Sequence, residues 1–305
     1  MILEKDFPPD VRVEKEIKSL LQAGHKITLL ASSPTAPNQI TLWQGATIIS
    51  YKMPRFIYKS SVAALKFNFY FNYWQKIINL TFADNKFEAI HLHDLPLAQV
   101  AANFAKKYQI PFVLDLHENW PAYVATATHT SSWLGNFLAT KAKWYVYEKS
   151  MVHKADKVIA VIDEMRDRLI LAGADPPKIE ILPNTPLLAE QTEAPIENNF
   201  SEFTLFYGGG LNKHRGLQIV LAALKKLKNQ NIKLVVAGSG SYAEVLKNFC
   251  HESELDEVVT WLGWQTYEEM MKILSQSDIA LIPHLRSEQT DNSSPNKLYQ
   301  YAWQK

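Results

Sequence analysis

The chain has 305 residues, of which 47% are hydrophobic and 21% charged, with a formal net charge of +1. That length exceeds a usual single domain and that apolar share supports packed cores, so wholesale disorder is excluded and two domains are expected. A near-neutral charge gives no ground for nucleic-acid binding, and the single cysteine, Cys250, excludes an internal disulfide and fits a reducing compartment.

In chain order, the first half reads as alternating helices and strands. Val13–Ala23 predicts a helix with Ile17, Leu20 and Leu21 apolar and Gly24 closing it, and a strand follows at Lys26–Ala31. The aromatic stretch Phe67-Asn68-Phe69-Tyr70-Phe71-Asn72-Tyr73-Trp74, with Lys59, Lys66 and Lys76 nearby, admits two readings: a core helix, which is favoured, and a peripheral contact with a membrane surface. Ala89–Leu92 is a strand ending in His93-Asp94, Leu97–Tyr108 a helix, and Pro111–Leu116 a strand ending in His117-Glu118. Val146–His153 reads as helix, Lys157–Val161 as strand, Asp163–Ala172 as helix closed by Gly173, and Lys178–Leu182 as strand. Residues 1–184 thus form one domain. Thr185–Asn199, rich in Pro, Glu, Asn and Thr without periodicity, reads as a linker.

Residues 200–305 repeat the pattern. Strand Phe203–Tyr207 runs into Gly208-Gly209-Gly210-Leu211-Asn212-Lys213-His214-Arg215-Gly216, and a helix follows with Leu217, Val220, Leu221, Leu224 and Leu227 on one face. Strand Lys233–Ala237 leads to Gly238-Ser239-Gly240 and helix Tyr242–His251, and strand Val258–Leu262 leads to helix Tyr267–Leu274. Ile279-Ala280-Leu281-Ile282-Pro283 reads as a buried strand. Repeated βα units predict a parallel, doubly wound sheet. Ser294 as N-cap and Pro295 as first helical residue predict a helix start at Ser294-Pro295-Asn296-Lys297-Leu298-Tyr299-Gln300. Such a start beyond a strand end suits a diphosphate, and consecutive glycines with Arg215 supply a second phosphate-compatible segment.

These motifs carry a family resemblance. Tyr207-Gly208-Gly209-Gly210-Leu211 through Arg215-Gly216, Val236-Ala237-Gly238-Ser239-Gly240, Ala280-Leu281-Ile282-Pro283 and Pro295-Asn296-Lys297-Leu298-Tyr299, in this order, resemble the donor domain of a GT-B fold retaining glycosyltransferase of the group 1 (family 4) type. Pro8-Pro9-Asp10-Val11-Arg12 through Gly24-His25, His91-Leu92-His93-Asp94, Asp115-Leu116-His117-Glu118, Ala155-Asp156-Lys157-Val158-Ile159 and Leu182-Pro183-Asn184 are similar to its acceptor domain, with the weakest likeness across Ser32–Lys86. The resemblance implies two Rossmann-like domains facing one cleft. It implies sugar transfer, with retention, from a nucleotide-diphosphate donor to a hydroxyl on a saccharide or lipid-linked acceptor. It implies no metal or other cofactor.

For the site, the resemblance implies catalytic roles for His117, Arg215 and Lys297. Donor contacts fall to Gly208, Gly209, Gly210, Arg215, Gly238, Gly240, Ser294, Pro295, Asn296, Lys297, Leu298 and Gln300. Asp10, Arg12, His93, Asp94 and Glu118 fall on the acceptor side. Bland alternatives stand beside these. His117 is read otherwise as a loop histidine bonded to Glu118 or backbone, Lys297 as a solvated helix-start lysine, and Asp10 with Arg12 as an N-cap and a surface residue. His91-x-His93-Asp94 has a spacing common without metal.

The chain departs from the family pattern in several places. Met1–Lys5 is barely a first strand, Asn292 and Gln300 stand where the family has two glutamates, and Gly210 stands where it often has arginine. The family continues past the position of Lys305 with a Gly-Lys-Pro turn, a strand and helices. The expectation is therefore a truncated chain with an incomplete second domain and little transferase activity. The alternatives are an impaired sugar-nucleotide-binding remnant and a GT-B sugar-nucleotide epimerase, against which Asn296-Lys297-Leu298 argues. No run is apolar enough to span a bilayer and no leader pattern opens the chain, so the expected location is the cytoplasm, with peripheral contact at the inner membrane face as the second reading.

Overall fold

The computed structural model describes residues 1–126, 141–185, 202–227 and 230–304. By its contacts the chain separates into Met1–Pro183 with Asp291–Ser294, and Asn184–Thr290 with Pro295–Lys305. Of the stretch expected to be a linker, residues 186–199 lie outside the described residues.

The first unit contains β1 (Ile2–Leu3), α1 (Val11–Gln22), β2 (Thr28–Ser33), β3 (Gln39–Trp43), β4 (Ala46–Lys52), α2 (Arg55–Ser60) and α3 (Phe69–Ala83). It continues with β5 (Ile90–His93), α4 (Ala98–Tyr108), β6 (Phe112–Leu116), α5 (Trp120–Thr126), α6 (Lys141–Lys154), β7 (Lys157–Ala160), α7 (Asp163–Leu171) and β8 (Ile179–Ile181). Its sheet runs β3-β4-β2-β1-β5-β6-β7-β8, parallel except where β3 meets β4. Strand alternation sorts side chains to two faces. Leu3, Leu29 and Ala31 pack with Val13 and Ile17 of α1, while Ile2, Leu30 and Leu92 join the larger core with Tyr70 and Trp74 of α3.

The two-residue β1, barely legible as a strand, sits at the centre of this sheet. Ile2 pairs with Leu30 on one side and with Leu92 on the other, so its neighbours supply the pairing that its length does not. At β1 the strand order reverses. The loops leaving β1 and β5 therefore meet at the switch point where open α/β sheets keep their ligands. The hairpin β3–β4 lies within the stretch of weakest resemblance. Its turn residues Gln44 and Gly45 both have positive φ, at 50° and 99°, as a two-residue hairpin with the twist of its strands requires. The aromatic stretch divides: Tyr70 and Trp74 are fully buried, whereas Phe67 and Phe69 are exposed.

The second unit contains β9 (Phe203–Gly208), α8 (Leu217–Leu227), β10 (Ile232–Ala237), α9 (Ala243–Glu252), β11 (Val259–Gly263), α10 (Tyr267–Gln276), β12 (Ile279–Ala280) and α11 (Asn296–Gln304). Its sheet is parallel in the order β11-β10-β9-β12, with the switch at β9. Residues Tyr207, Leu234 and Val236 face Leu217, Leu221 and Leu224 of α8, and Phe206, Val235 and Ala237 face Met271, Leu274 and Tyr301. The expected buried strand through Pro283 is shorter and less buried. Only Ile279–Ala280 is strand, and Ile279 is 46% exposed, because among the described residues β12 pairs with β9 alone.

Candidate functional site

In the second unit the chain after β9 is laced to the chain after β10. Gly209 N–H donates to the Ala237 carbonyl at 2.8 Å and Leu211 N–H to the Ser239 carbonyl at 2.9 Å. Gly238 has φ +149°, and a Cβ there would lie 1.9 Å from the Gly209 carbonyl oxygen. Gly238 and likewise Gly240, whose Cβ would meet the Leu211 carbonyl at 2.2 Å, are thus required by loop-to-loop packing. Donor contact is not needed to explain them. Gly209 is different: with φ +134°, its missing Cβ leaves the space 3.0 Å from Lys297 Nζ.

Lys297 lies in the first turn of α11 with its ammonium turned inward. The residue is 9% exposed, and Nζ makes no hydrogen bond. It lies 4.1 Å from the Tyr207 ring centroid, a cation–π distance. Burial, and then the charge of Arg215, push its pKa down to about 7. This overturns the reading of a solvated lysine. Arg215 Nη1 donates to His284 Nε2 at 3.1 Å, and its Nε is buried without a partner. His284 is itself pushed down to about 4 by burial and then by Arg215 and Lys297, so its neutral ring accepts that bond. Among the described residues neither cation has a carboxylate partner. A buried lysine beside a half-buried arginine, both with donors to spare, forms a site that is energetically incomplete without an anion.

Tyr301 fixes this geometry. Its hydroxyl accepts from Gly208 N–H at 2.9 Å and donates toward the Gly208 carbonyl at 3.3 Å. Lys297 and Tyr301 are four apart on α11, so the bond that ties the helix to the glycine loop also sets the lysine. The helix is counted from Asn296, one residue later than expected, with Leu298 N–H donating to the Pro295 carbonyl at 3.0 Å. Gly210, Pro295, Asn296 and Gln300 are half-buried and Leu298 is 47% exposed, while Ser294 is buried and groups with the first unit.

In the first unit, β5 and β6 bring four groups onto one face. His93 and Asp115 are in register across the two strands, and His91 and His117 each lie two residues away. One oxygen, Asp115 Oδ2, meets His117 Nε2 at 2.8 Å, His93 Nδ1 at 3.1 Å and His91 Nε2 at 3.3 Å. Burial disfavours the Asp115 carboxylate, yet the charge and hydrogen bond of His117, with the bonds of His91 and His93, hold it well below its usual range. Glu16 of α1 covers this face. Burial and then Asp115 push it up to about 8, and its Oε2 lies 3.4 Å from His91 Nε2 without making a hydrogen bond. Burial, and then His91, push His93 down to about 4. His117 is therefore bonded to Asp115 and not to Glu118 or backbone, which leaves its buried Nδ1 without a partner.

Glu16, His93, Asp115 and His117 offer ligand atoms within 4.8 Å of one another, close enough to consider a metal. Tetrahedral zinc with bonds of about 2.0–2.1 Å separates its ligand atoms by roughly 3.4 Å. His117 Nε2 and Asp115 Oδ2 are 2.8 Å apart, a hydrogen-bond distance. The group is built to share protons around one carboxylate.

Asp10 caps α1, accepting from the Arg12 and Val13 N–H groups, and Arg12 Nε and Nη2 reach it at 3.3 and 3.2 Å. Burial disfavours the Asp10 carboxylate, but the Arg12 charge and bonds hold its pKa down to about 2. The capping role is real, but the Arg12 side chain is only 12% exposed and so is no surface residue. Asp94 has φ 67° and donates its N–H to the Asp115 carbonyl at 2.8 Å. Glu118 is half-buried. Sequence reasoning missed Glu16, Asp115, His284 and Tyr301, and it weighed His91 only as a metal ligand. The one local signal was Asp115-x-His117, whose spacing of two puts both on one side of an extended chain.

Residues 9–185 match the model of the glycosyl transferase 4-like domain and residues 190–290 that of the glycosyl transferases group 1. An uncharacterized glycosyltransferase of Methanocaldococcus jannaschii is 22% identical over 210 residues, covering 65% of this chain and 52% of that protein. The chain spans about half the length of the curated relatives it matches. Among solved structures, sucrose-phosphate synthase from Thermosynechococcus elongatus superposes with a TM-score of 0.69 at 15% identity, over 93% of this chain and 74% of that one. The catalytic domain of starch synthase IV from Arabidopsis thaliana, bound to ADP and acarbose, gives 0.64 at 13% identity, over 98% and 80%. At these identities the likeness shows the fold, which is GT-B.

Proposed function

The chain belongs to the group 1 glycosyltransferases, and from that premise we propose that it transfers a sugar, with retention, from a nucleotide-diphosphate donor to a hydroxyl acceptor. The observation that carries this reading is the pair of half-buried Arg215 and buried Lys297, on the loop and helix beyond two strand ends, neither with a carboxylate partner among the described residues. As the bond to the anomeric carbon breaks, negative charge grows on the departing diphosphate, and fixed cations in a dry site lower that barrier. Arg215 supplies a planar fork and Lys297 a point charge, with the first N–H groups of α11 alongside. The ADP held by starch synthase IV supports a nucleoside diphosphate as leaving group.

The first unit supplies the second half of the reading. With Asp115 ionised, His117 Nε2 donates to it, and the buried, unpartnered Nδ1 is the ring atom left to meet a sugar hydroxyl. Asp10, Arg12 and Asp94 would stand on the acceptor side, with no metal in the reaction. The test is calorimetric titration of UDP, ADP and GDP, followed by assay of donor turnover over a panel of saccharide acceptors. Tight binding of one diphosphate that is lost in both Arg215→Ala and Lys297→Ala supports the site. Binding unchanged in both variants places it elsewhere, and binding without any turnover favours a sugar-nucleotide-binding protein.

A further inference from the structure

Residues 17–83 carry seven lysines and arginines and not one aspartate or glutamate, in a chain whose net charge is only +1. Within this span the fold brings three phenylalanines together on the outside of the first unit. The rings of Phe56 on α2 and Phe69 on α3 are 5.7 Å apart, and Phe67 stacks on Phe69 at 6.3 Å. They are 66%, 48% and 51% exposed for Phe56, Phe67 and Phe69, and Tyr58 beside them is 47% exposed. A core would have buried these rings, as it buried Tyr70 and Trp74 one and five residues after Phe69. Clustered exposed aromatics of this kind mark a surface that meets something apolar.

The charges beside the rings specify what that is. Arg55 and Lys59, one turn apart on α2, flank Phe56, Lys52 precedes them at the end of β4, and all three are exposed. Lys66 adjoins Phe67. Aromatic rings that enter the headgroup region, with cations beside them on a span of chain that has no acidic residue, match an anionic bilayer in both its apolar and its charged layer. We infer that this face, centred on Phe56, Phe67 and Phe69, docks the protein on the surface of an anionic phospholipid membrane. Binding needs no spanning segment, and no described helix is long and apolar enough to be one. The inference stands apart from the donor site, since every residue it uses lies in the first unit.

Flotation with vesicles of phosphatidylcholine alone or mixed with phosphatidylglycerol tests it. The wild-type chain should float with the mixed vesicles only, and added salt should release it, because exposed charges are screened beyond about 10 Å at roughly 0.1 M. Each cation removed should weaken partitioning about fivefold, so Lys52→Gln with Arg55→Gln and Lys59→Gln should cost on the order of a hundredfold. Phe56→Ser with Phe69→Ser should lose binding at every salt concentration. All five side chains are exposed, so circular dichroism and diphosphate titration should match the wild type and separate lost docking from lost folding. Equal flotation on both vesicle types overturns the inference, as does undiminished binding by both variants. A single-stranded oligonucleotide bound by the wild type in place of the vesicles, and lost in the charge variant, overturns it in favour of a nucleic-acid surface.

Discussion

Lys297 gives the sharpest quantitative prediction. Its ammonium is buried beside Arg215, which brings its pKa from an ordinary 10.5 down to about 7. A diphosphate placed between the two cations reverses the second of those causes and strongly favours the charged form. At pH 8 the free lysine is therefore about nine-tenths neutral, and binding must draw roughly one proton from solution. Affinity should be full below pH 7 and should fall by up to about tenfold per unit as pH rises above it. Titration calorimetry at pH 8 in two buffers of different ionisation enthalpy reads the proton directly. The wild type should show uptake of about one proton, and Lys297→Ala should show almost none, with affinity weaker by about tenfold to a hundredfold. Diphosphate binding without proton uptake in the wild type, or the same uptake in the variant, would refute this placement of the anion.

The remaining predictions follow the same groups. Lys297→Met should raise the thermal midpoint of the ligand-free protein between pH 7 and 10, because the folded state binds fewer protons there than the unfolded chain, and the stability so lost grows as pH falls toward 7; scanning calorimetry at several pH values checks this. Tyr301→Phe removes the hydroxyl that pairs with Gly208 and should cost about 1–3 kcal/mol in denaturant unfolding, with weaker diphosphate binding through the displaced helix. Glu16 is raised to about 8, so its contribution to stability is complete below its unfolded value near 4.5 and is lost as pH rises through 8; Glu16→Gln should flatten that part of the stability curve. Asp115→Asn takes away the charge shared by three imidazoles and should lower turnover at least about tenfold while diphosphate affinity stays unchanged, which steady-state kinetics and calorimetry separate.

Much of the fold was legible because its signals are local. Apolar runs ending in glycine or histidine marked most strands, and the 3.6-residue pattern marked α1 and α8. Ile2–Leu3 was nearly invisible because a two-residue strand has no period, and its stability comes from partners 28 and 90 residues away. The hairpin turn at Gln44-Gly45 lacks the usual Asn-Gly signal. The aromatic stretch could not be divided by composition alone, since burial there depends on which residues α3 turns toward the core. In the candidate site, the contiguous motifs at Gly208–Gly210, Arg215, Lys297 and His117 were readable. Their partners were not, because Arg215 meets His284 across 69 positions and Tyr301 meets Gly208 across 93. The same distance in sequence hid the part that Gly238 and Gly240 play in the packing of two loops.

The central claim is that a nucleoside diphosphate lies between Arg215 and Lys297 beside the glycine loop. A crystal structure of the protein soaked with UDP or ADP tests it most directly. The account predicts phosphate oxygens within hydrogen-bond distance of Lys297 Nζ and of the Arg215 guanidinium, with Tyr301 still bonded to Gly208. Diphosphate density anywhere else on the second unit, with Lys297 Nζ still lacking a partner, would contradict it.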